Sequence, residues 1–537
     1  MPVTPTYPGI YIEEILSNSH TITAASTSDT VFVGYTHPFK TLPQNYTQPI
    51  EIFSFTDYER QFGGLFNVDW LADDVGRAVF QFFANGGTVA WIVALQPTFQ
   101  ILSGGTQAVA PPTLTIGDST NGIVFTGREP VDGNQLLTVS VTNLKATSGS
   151  TLDIADVIIG YGNRTETYRR VTLNPNPPPA DAGNTLETRI GTTTNLLSSL
   201  VTVAPPSTGA YLTDWGTPLA PTPLDGGLPT DPFTTFSPGD FTAAFAADQP
   251  LDKIPLFNLL VTPGVFDPVV VAEALAVAEN KRAFMVMDPP ADAVADPTGY
   301  PLPMIEQIMT GDLPPRFIPK SQNGALYFPY LRASDPSTGN PLFLPPSGFV
   351  AGVIAREDTN RGVWKAPAGY EALVSTTSGV VPSGQMTDPR QGILNPIGVN
   401  AVRSLRGVGT VVFGARTSVS GNTSFQQYWY VPVRRMALFL EQSLLLSLGW
   451  VIFEPNDEPL WVSIKTTIDN FMLGLYTQGA FQGTSPSQAF QVACDSTTTT
   501  TTDQANGIVN IVVAFAPLKP AEFVVIKIAQ LAGQSQS

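Results

Sequence analysis

Cysteine is almost absent from this chain: Cys494 is the only one in 537 residues. A lone thiol excludes an intrachain disulfide and any cysteine-based zinc site. Free cysteine also behaves as a small buried hydrophobe more often than as a nucleophile. Histidine is nearly as scarce. A Ser–His–Asp or Cys–His centre would have to use His20 or His37. His20 lies in a polar stretch and His37 in a "THPF" turn, so both read as structural or solvent-facing, and no pair stands at His-x-x-x-His spacing. Charge is sparse too. Charged residues make up 13% of the chain, roughly half the usual share. Lys and Arg number 27 against 44 Asp and Glu, a net charge of −17, which argues against a surface that tracks nucleic-acid phosphates. No apolar run reaches the ~18 residues of a membrane span. Neither the glycine-rich phosphate loop nor the dinucleotide-binding glycine pattern is present, so no cofactor is implied.

The first residues, "MPVTPTYPGIYIEE", carry neither a basic segment nor a continuous apolar stretch, so a secretory leader is not expected and cytoplasmic residence is the default. Acceptor triplets at Asn45, Asn163 and Asn422 carry no weight without a secretory route.

A chain of this length is too long for one core, and two to four domains are expected. Residues 1–30 read as an arm, with prolines at 2, 5 and 8 and a short β-like run at Ile10, Tyr11 and Ile12. "TVFVGYT" (30–36) has the composition of a buried strand, and "DWLADDVGRAVFQFFANGG" (69–87) has helical apolar spacing with a Gly stop. From 97 to 235, Thr, Gly, Pro and Asn dominate around short strand-like pieces, which predicts an inserted β-rich domain. Residues 254–288 read strand–helix–strand, a βαβ unit, and "GALYFPYL" (324–331) and "GFVAGVIA" (348–355) are candidate further strands. Beyond 430, "RRMALFLEQSLLLSLG" predicts a buried helix, "WVIFEP" a strand, and "NDEPLWVSIKTTIDNFMLGLYTQG" a one-faced helix capped by Asp457. Ser485 and Gln488 stand at capping-box spacing, "FQVACDS" predicts a strand and "TTTTTTDQANG" a loop.

Three features are candidates for function. The chain closes on two period-2 runs, Val509, Ile511, Val513, Phe515 and then Val524, Ile526, Ile528. An unpaired apolar strand is a template for another molecule. Second, no Asp or Glu other than those flanking it interrupts the stretch from Arg390 to Leu440, which holds Arg403, Arg406, Arg416, Arg434 and Arg435. These arginines either pair with acidic groups elsewhere in the fold or contact an acidic partner. Third, "TPG" (262–264) precedes a helix, where N–H groups can hold an anion, a weak signal shared by every such junction. Glu454, Asp457 and Glu458 cluster as carboxylates, with helix capping the simpler reading of the latter two.

Several longer motifs point the same way: "YPGIYIEEI" (7–15), "PPSGFVAGVIAREDTNRGVWKAPAG" (345–369), "GILNPIGVNAVRSLRGVGTVVFGART" (392–417), "YVPVRRMALFLEQSL" with "WVIFEPNDEPLW" (430–461), "GAFQGTSPSQAFQVACD" (479–495) and "APLKPAEFVVIKI" (516–528). In this order they resemble the sheath proteins of contractile phage tails and related contractile injection systems. The resemblance implies an α+β and α/β multidomain chain. Its core domain is built from both chain ends (31–96 and 396–515) and carries an α/β middle domain (236–395) and a variable β-rich domain (97–235). The arms (1–30 and 516–537) would exchange strands between subunits, through Ile10, Tyr11 and Ile12 at one end and the two closing runs at the other. It implies hexameric rings stacked helically around an inner tube, with baseplate and cap proteins at the ends, no nucleic acid and no membrane insertion. The middle region of such proteins is sometimes likened to subtilisin, but here it contains no histidine, so that triad cannot operate. The alternatives are a sheath-like baseplate or cap component, or an α/β enzyme, which would gather titratable groups in a pocket near 262–265.

Overall fold

Strands buried on both faces need apolar residues at every position, and the runs "TVFVGY", "LLV", "FMVM" and "GALYF" meet that requirement. A computed structural model describes residues 20–66, 70–101, 109–118, 121–129, 136–162, 164–174, 177–204, 212–228, 233–289, 291–295, 301–303, 319–335, 339–381 and 385–528. In it these runs lie in one eight-stranded sheet. We number its strands β1 (Thr30–Tyr35), β2 (Ile50–Ile52), β3 (Ala90–Leu95), β4 (Leu259–Val261), β5 (Phe284–Met287), β6 (Gly324–Phe328), β7 (Val399–Leu405) and β8 (Gly409–Val412). The order is β2-β3-β1-β4-β5-β6-β7-β8. The inner strands pair in parallel, and the edges β2 and β8 are antiparallel to their neighbours. Strands from 31–96 and from 236–395 thus share one sheet, so the boundary read between those stretches does not divide it.

Helices cover both faces. On one side lie α1 (Asp74–Ala84) and, from much later in the chain, α3 (Ser347–Arg361), through Val79, Phe82, Phe349 and Ile354. On the other lies α2 (Pro268–Asn280), started by Asp267, whose side chain accepts from the N–H groups of Val269 and Val270. "GFVAGVIA" is therefore helix and not strand, the first part of a single 15-residue helix that runs on through "REDTNR". A short apolar run does not by itself distinguish a buried helix from a buried strand. Its glycines bring α3 against α1: a Cβ at Gly348 would lie 2.6 Å from the Cα of Ala78, and one at Gly352 2.5 Å from the Phe82 carbonyl oxygen.

The β-rich insert forms two four-stranded antiparallel sheets enclosing their own core, which includes Phe125, Val139, Val157, Val171 and Val201. Its ends join the body side by side, Gln100–Ile101 antiparallel to Phe233–Thr234. A clasp adds to this stalk. His37 is 2% exposed; its Nδ1 accepts from the N–H groups of Phe39 and Lys40, while Nε2 faces Glu129 of the insert at 3.4 Å. Burial alone would raise the Glu129 pKa, but hydrogen bonds from His37 and Lys40 outweigh it and bring it down to about 2.

The C-terminal module is built on α4 (Val431–Ser447). Val431 and Leu438 enter the core of the large sheet, whereas Met436, Phe439 and Leu440 pack on α5 (Glu458–Thr477). Asp457 caps α5 as expected, accepting from the Leu460 N–H. Buried Cys494 belongs to the same cluster. "WVIFEP" is not a strand: Gly449–Val451 form a single 3₁₀ turn and Phe453 has φ +72°. Ser485 makes no capping hydrogen bond before the four-residue helix Pro486–Ala489. The threonine tract instead forms the helix Thr501–Ala505, closed by a capping box between Thr500 and Asp503.

α4 is tied to α3 by a buried ion pair. The Arg435 guanidinium, 3% exposed, donates to Asp358 at 2.8 Å and also to the Thr27 carbonyl at 2.7 Å. Replacing Asp358 with Ala leaves that cation buried without its counter-ion, and we expect a loss of roughly 3–5 kcal/mol in a denaturant unfolding experiment.

Candidate functional site

α4 also holds the root of the N-terminal arm. Ser443 and Ser447, four residues apart and so on one face, accept from the backbone N–H groups of Ala25 and Thr23, each at 3.0 Å. Asn258 donates to the Ser26 carbonyl and accepts from the Asp29 N–H, and its own amide is held by Gln442. At the outer end the His20 ring stacks on Trp450, centroids 3.8 Å apart. Polar side chains, and no strand among the described residues, thus hold residues 23–29. Ile10, Tyr11 and Ile12 lie outside the described residues.

At the other terminus, β9 (Phe490–Ala493) pairs antiparallel with β10 (Val512–Phe515). Val509, Ile511, Val513 and Phe515 all turn toward the C-terminal core, the face that their alternation called for, although the strand itself begins only at Val512. After Pro517 the second run leaves that core. Residues 518–528 pair with no strand among the described residues, and Phe523, Val524, Ile526 and Ile528 are 73 to 93% exposed.

The root of this run is clipped. The Glu522 carboxylate accepts from Arg416 (Nη2, 2.6 Å), from the Asn395 amide (2.7 Å) and, more distantly, from the Tyr430 hydroxyl (3.3 Å). Burial would raise the Glu522 pKa, but these donors, Arg416 foremost, lower it. The other arginines of the basic stretch are also mostly answered within the fold. Arg403 reaches Asp388 and Gln391 and lies over the Phe413 ring, Arg434 donates to Asn323 and lies over Tyr428, and Arg435 holds Asp358. Arg406, exposed at the tip of the β7–β8 hairpin, has no ion pair among the described residues. Sequence alone could not reveal this division, because each partner lies far away along the chain or on a facing element.

A pocket with titratable groups does stand at 262–265. It opens at the carboxyl ends of β1 and β4, where successive crossovers leave β1 in opposite directions, and it measures about 710 Å³. Asp288, at the end of β5, accepts from the Ser347 N–H and hydroxyl and from the Gly264 N–H, so it staples α3 to the β4–α2 turn. Asp73 caps α1 and also accepts from the Phe66 N–H. Burial raises the Asp73 pKa to about 8 and that of Asp288 to about 6. Asp74 lines the pocket. Burial first, and the Asp288 charge second, raise its pKa to about 7. The one signal in the sequence was the Asp73–Asp74 pair ahead of a helix, which capping explains for only one member. Among the described residues, no group of His, Cys, Asp or Glu is arranged to hold a metal ion.

No family model matches the chain. It is 27% identical over 156 residues, 29% of its length, to the tail sheath protein of Vibrio phage KVP40, and over 170 residues, 31% of its length, to that of Burkholderia phage BcepMu at the same identity. The chain spans only 22% and 35% of these two relatives. Solved structures cover far more. The sheath complex of the extracellular contractile injection system PVC, in its contracted state, matches with a TM-score of 0.57 at 20% identity, over 98% of this chain and 99% of that one. The contracted helical sheath of the anti-feeding prophage matches with a TM-score of 0.56 at 22% identity, over 98% and 100%. Its six-fold symmetrised baseplate gives 0.54 at 21%, over 98% and 99%. The chain has the fold of contractile-sheath subunits, and the resemblance carried by its motifs is borne out.

The Asp74 carboxyl makes the fold sensitive to pH. Its folded pKa of about 7 exceeds the ordinary value of 3.8, so the folded state binds the extra proton. Stability therefore falls as pH rises between those two values and stays reduced above them. Asp74→Asn removes that loss: thermal unfolding should show the variant more stable than the parent by about 1–3 kcal/mol near pH 8, with the difference vanishing below about pH 4.

Proposed function

We propose that this chain is the repeating subunit of a contractile tail sheath. Copies stack as rings, six to a ring, in a helix around an inner tube, between a baseplate and a terminal cap, and shortening of the lattice drives the tube through a target envelope. The observation that carries this reading is the apolar run 523–528, exposed and without a strand partner among the described residues, beyond a β9–β10 sheet that has two strands among the described residues. Such a run adds itself to the sheet edge of another copy through main-chain hydrogen bonds. Ile10, Tyr11 and Ile12 of the N-terminal arm do the same at a second edge. Val524, Ile526 and Ile528 supply the alternate side chains that fix its register.

A head-to-tail contact of this kind does not close on itself and grows an open helical polymer. Each subunit is tethered to several neighbours, so links persist while whole bodies slide and rotate. The work of contraction comes from passage out of a kinetically trapped packing into a more stable one, with no nucleotide consumed. The reading makes the chain a structural protein and not an enzyme. Its assembly takes place in a cytoplasm, without nucleic acid and without insertion into a membrane; no described helix is long and apolar enough to cross one. Arg406, at a hairpin tip and without an ion pair among the described residues, is left to meet an acidic neighbour. The similarity to a baseplate structure favours a second reading, a sheath-like baseplate component of the same particle.

Deletion tests both. Removing residues 1–16, or removing 523–537 while leaving the Glu522 clip intact, should give a folded, soluble subunit that forms no long tubes under negative-stain electron microscopy. Arg406→Glu should shorten the tubes or weaken association with the tube protein. Normal tubes from either deletion sink the exchange of arms, and an intact chain that never forms striated tubes by itself favours the baseplate reading.

A further inference from the structure

The arms do not account for the cavity at the carboxyl ends of β1 and β4. We propose that it is a binding site for an organic cation, a primary ammonium or guanidinium group on an aliphatic stem, supplied either by a free amine or by a Lys or Arg side chain of a neighbouring protein.

Its place is the first argument. Open α/β sheets bind ligands where the strand order reverses, outside the carboxyl ends of the strands, and here chain order reverses between β3-β1 and β1-β4. Its volume of about 710 Å³ falls within the usual range for small-molecule sites. The walls are the second argument. Tyr35, Trp70, Phe233, Phe241 and Phe266 line it, and their ring faces attract a cation.

Asp74 lines the cavity and has neither a hydrogen bond nor an ion pair among the described residues, whereas Asp73 and Asp288 are held by backbone N–H groups. The nearby cation, Arg77, donates to the Phe66 carbonyl and faces Asp335 at 3.7 Å. Asp73 and Asp74 therefore share one guanidinium that is engaged elsewhere, Asp288 adds its charge beside Asp74, and a desolvated charge calls for a partner. An anionic ligand would add to the excess, and a purely apolar one would leave Asp74 as it is. A cation with an apolar stem answers both the carboxylate and the rings.

The last argument is close approach. Gly264 has φ +70°, and a Cβ there would lie 2.5 Å from Asp74 Oδ2, so only glycine lets the β4–α2 turn and this carboxyl meet.

The test uses the full chain and isothermal titration with n-butylammonium and n-butylguanidinium chloride, with sodium butyrate as the control. Both cations should bind saturably with Kd on the order of 1–10 mM, and butyrate should not bind. Asp74→Asn and Trp70→Leu, each first confirmed folded by its unfolding transition, should both weaken the cations at least about tenfold. No saturation by about 50 mM, or undiminished binding to folded Asp74→Asn, overturns the proposal. In assembled particles, zero-length carbodiimide coupling then separates the sources. An Asp74 peptide joined to a lysine peptide of another subunit assigns a protein side chain, and an uncoupled Asp74 that still binds the small cations assigns a free amine. The site stands whether or not the chain builds a sheath, since these titrations require no polymer.

Discussion

A peptide segment with apolar side chains and unpaired N–H and C=O groups is costly to leave alone and hard to bury within its own molecule. Residues 523–528 are such a segment, and the rest of the C-terminal module is organised around presenting it. Strands in a sheet interior have two neighbours; among the described residues β9 and β10 have only each other. The half-made sheet and the unmatched run are complementary in kind, which is the physical basis of the proposed polymer.

Presentation requires that the root be held while the strand stays free. At both ends the structure does this with side chains. Ser443, Ser447 and Arg435 of α4 take up the backbone of residues 23–27, and Arg416 with Asn395 takes up the Glu522 carboxylate. Had a strand done the same work, it would have occupied an edge that the proposed exchange needs. α4 reaches from the core of the large sheet to the C-terminal cluster, so the direction of the N-terminal arm and the position of the small sheet are coupled through one rigid element.

Much of the architecture was legible from local pattern. The doubly buried strands, α2 with its Asp267 cap, and α5 with Asp457 follow from composition and spacing, because those signals are local. The misread segments share a cause. "GFVAGVIA" is small and β-branched enough for a strand, and becomes helix because its glycines fit against Ala78 and Phe82, residues some 270 positions earlier. "WVIFEP" has strand-like residues but no partner strand, and the threonine tract turned helical through one capping box. The arginine-rich stretch looked unpartnered only because Asp358, Asp388 and Glu522 are remote in sequence or face it from another element.

The sequence by itself determined which stretches seek burial and that the C-terminal end carries sticky alternation. These follow from residue type and period, properties each segment carries alone. Only the tertiary structure decided which edges stay open, which charges are already answered, and that Asp73, Asp74 and Asp288 converge where the sheet changes direction. Those are relations between distant segments, and a carboxyl's pKa or a strand's exposure is set by what the fold brings beside it.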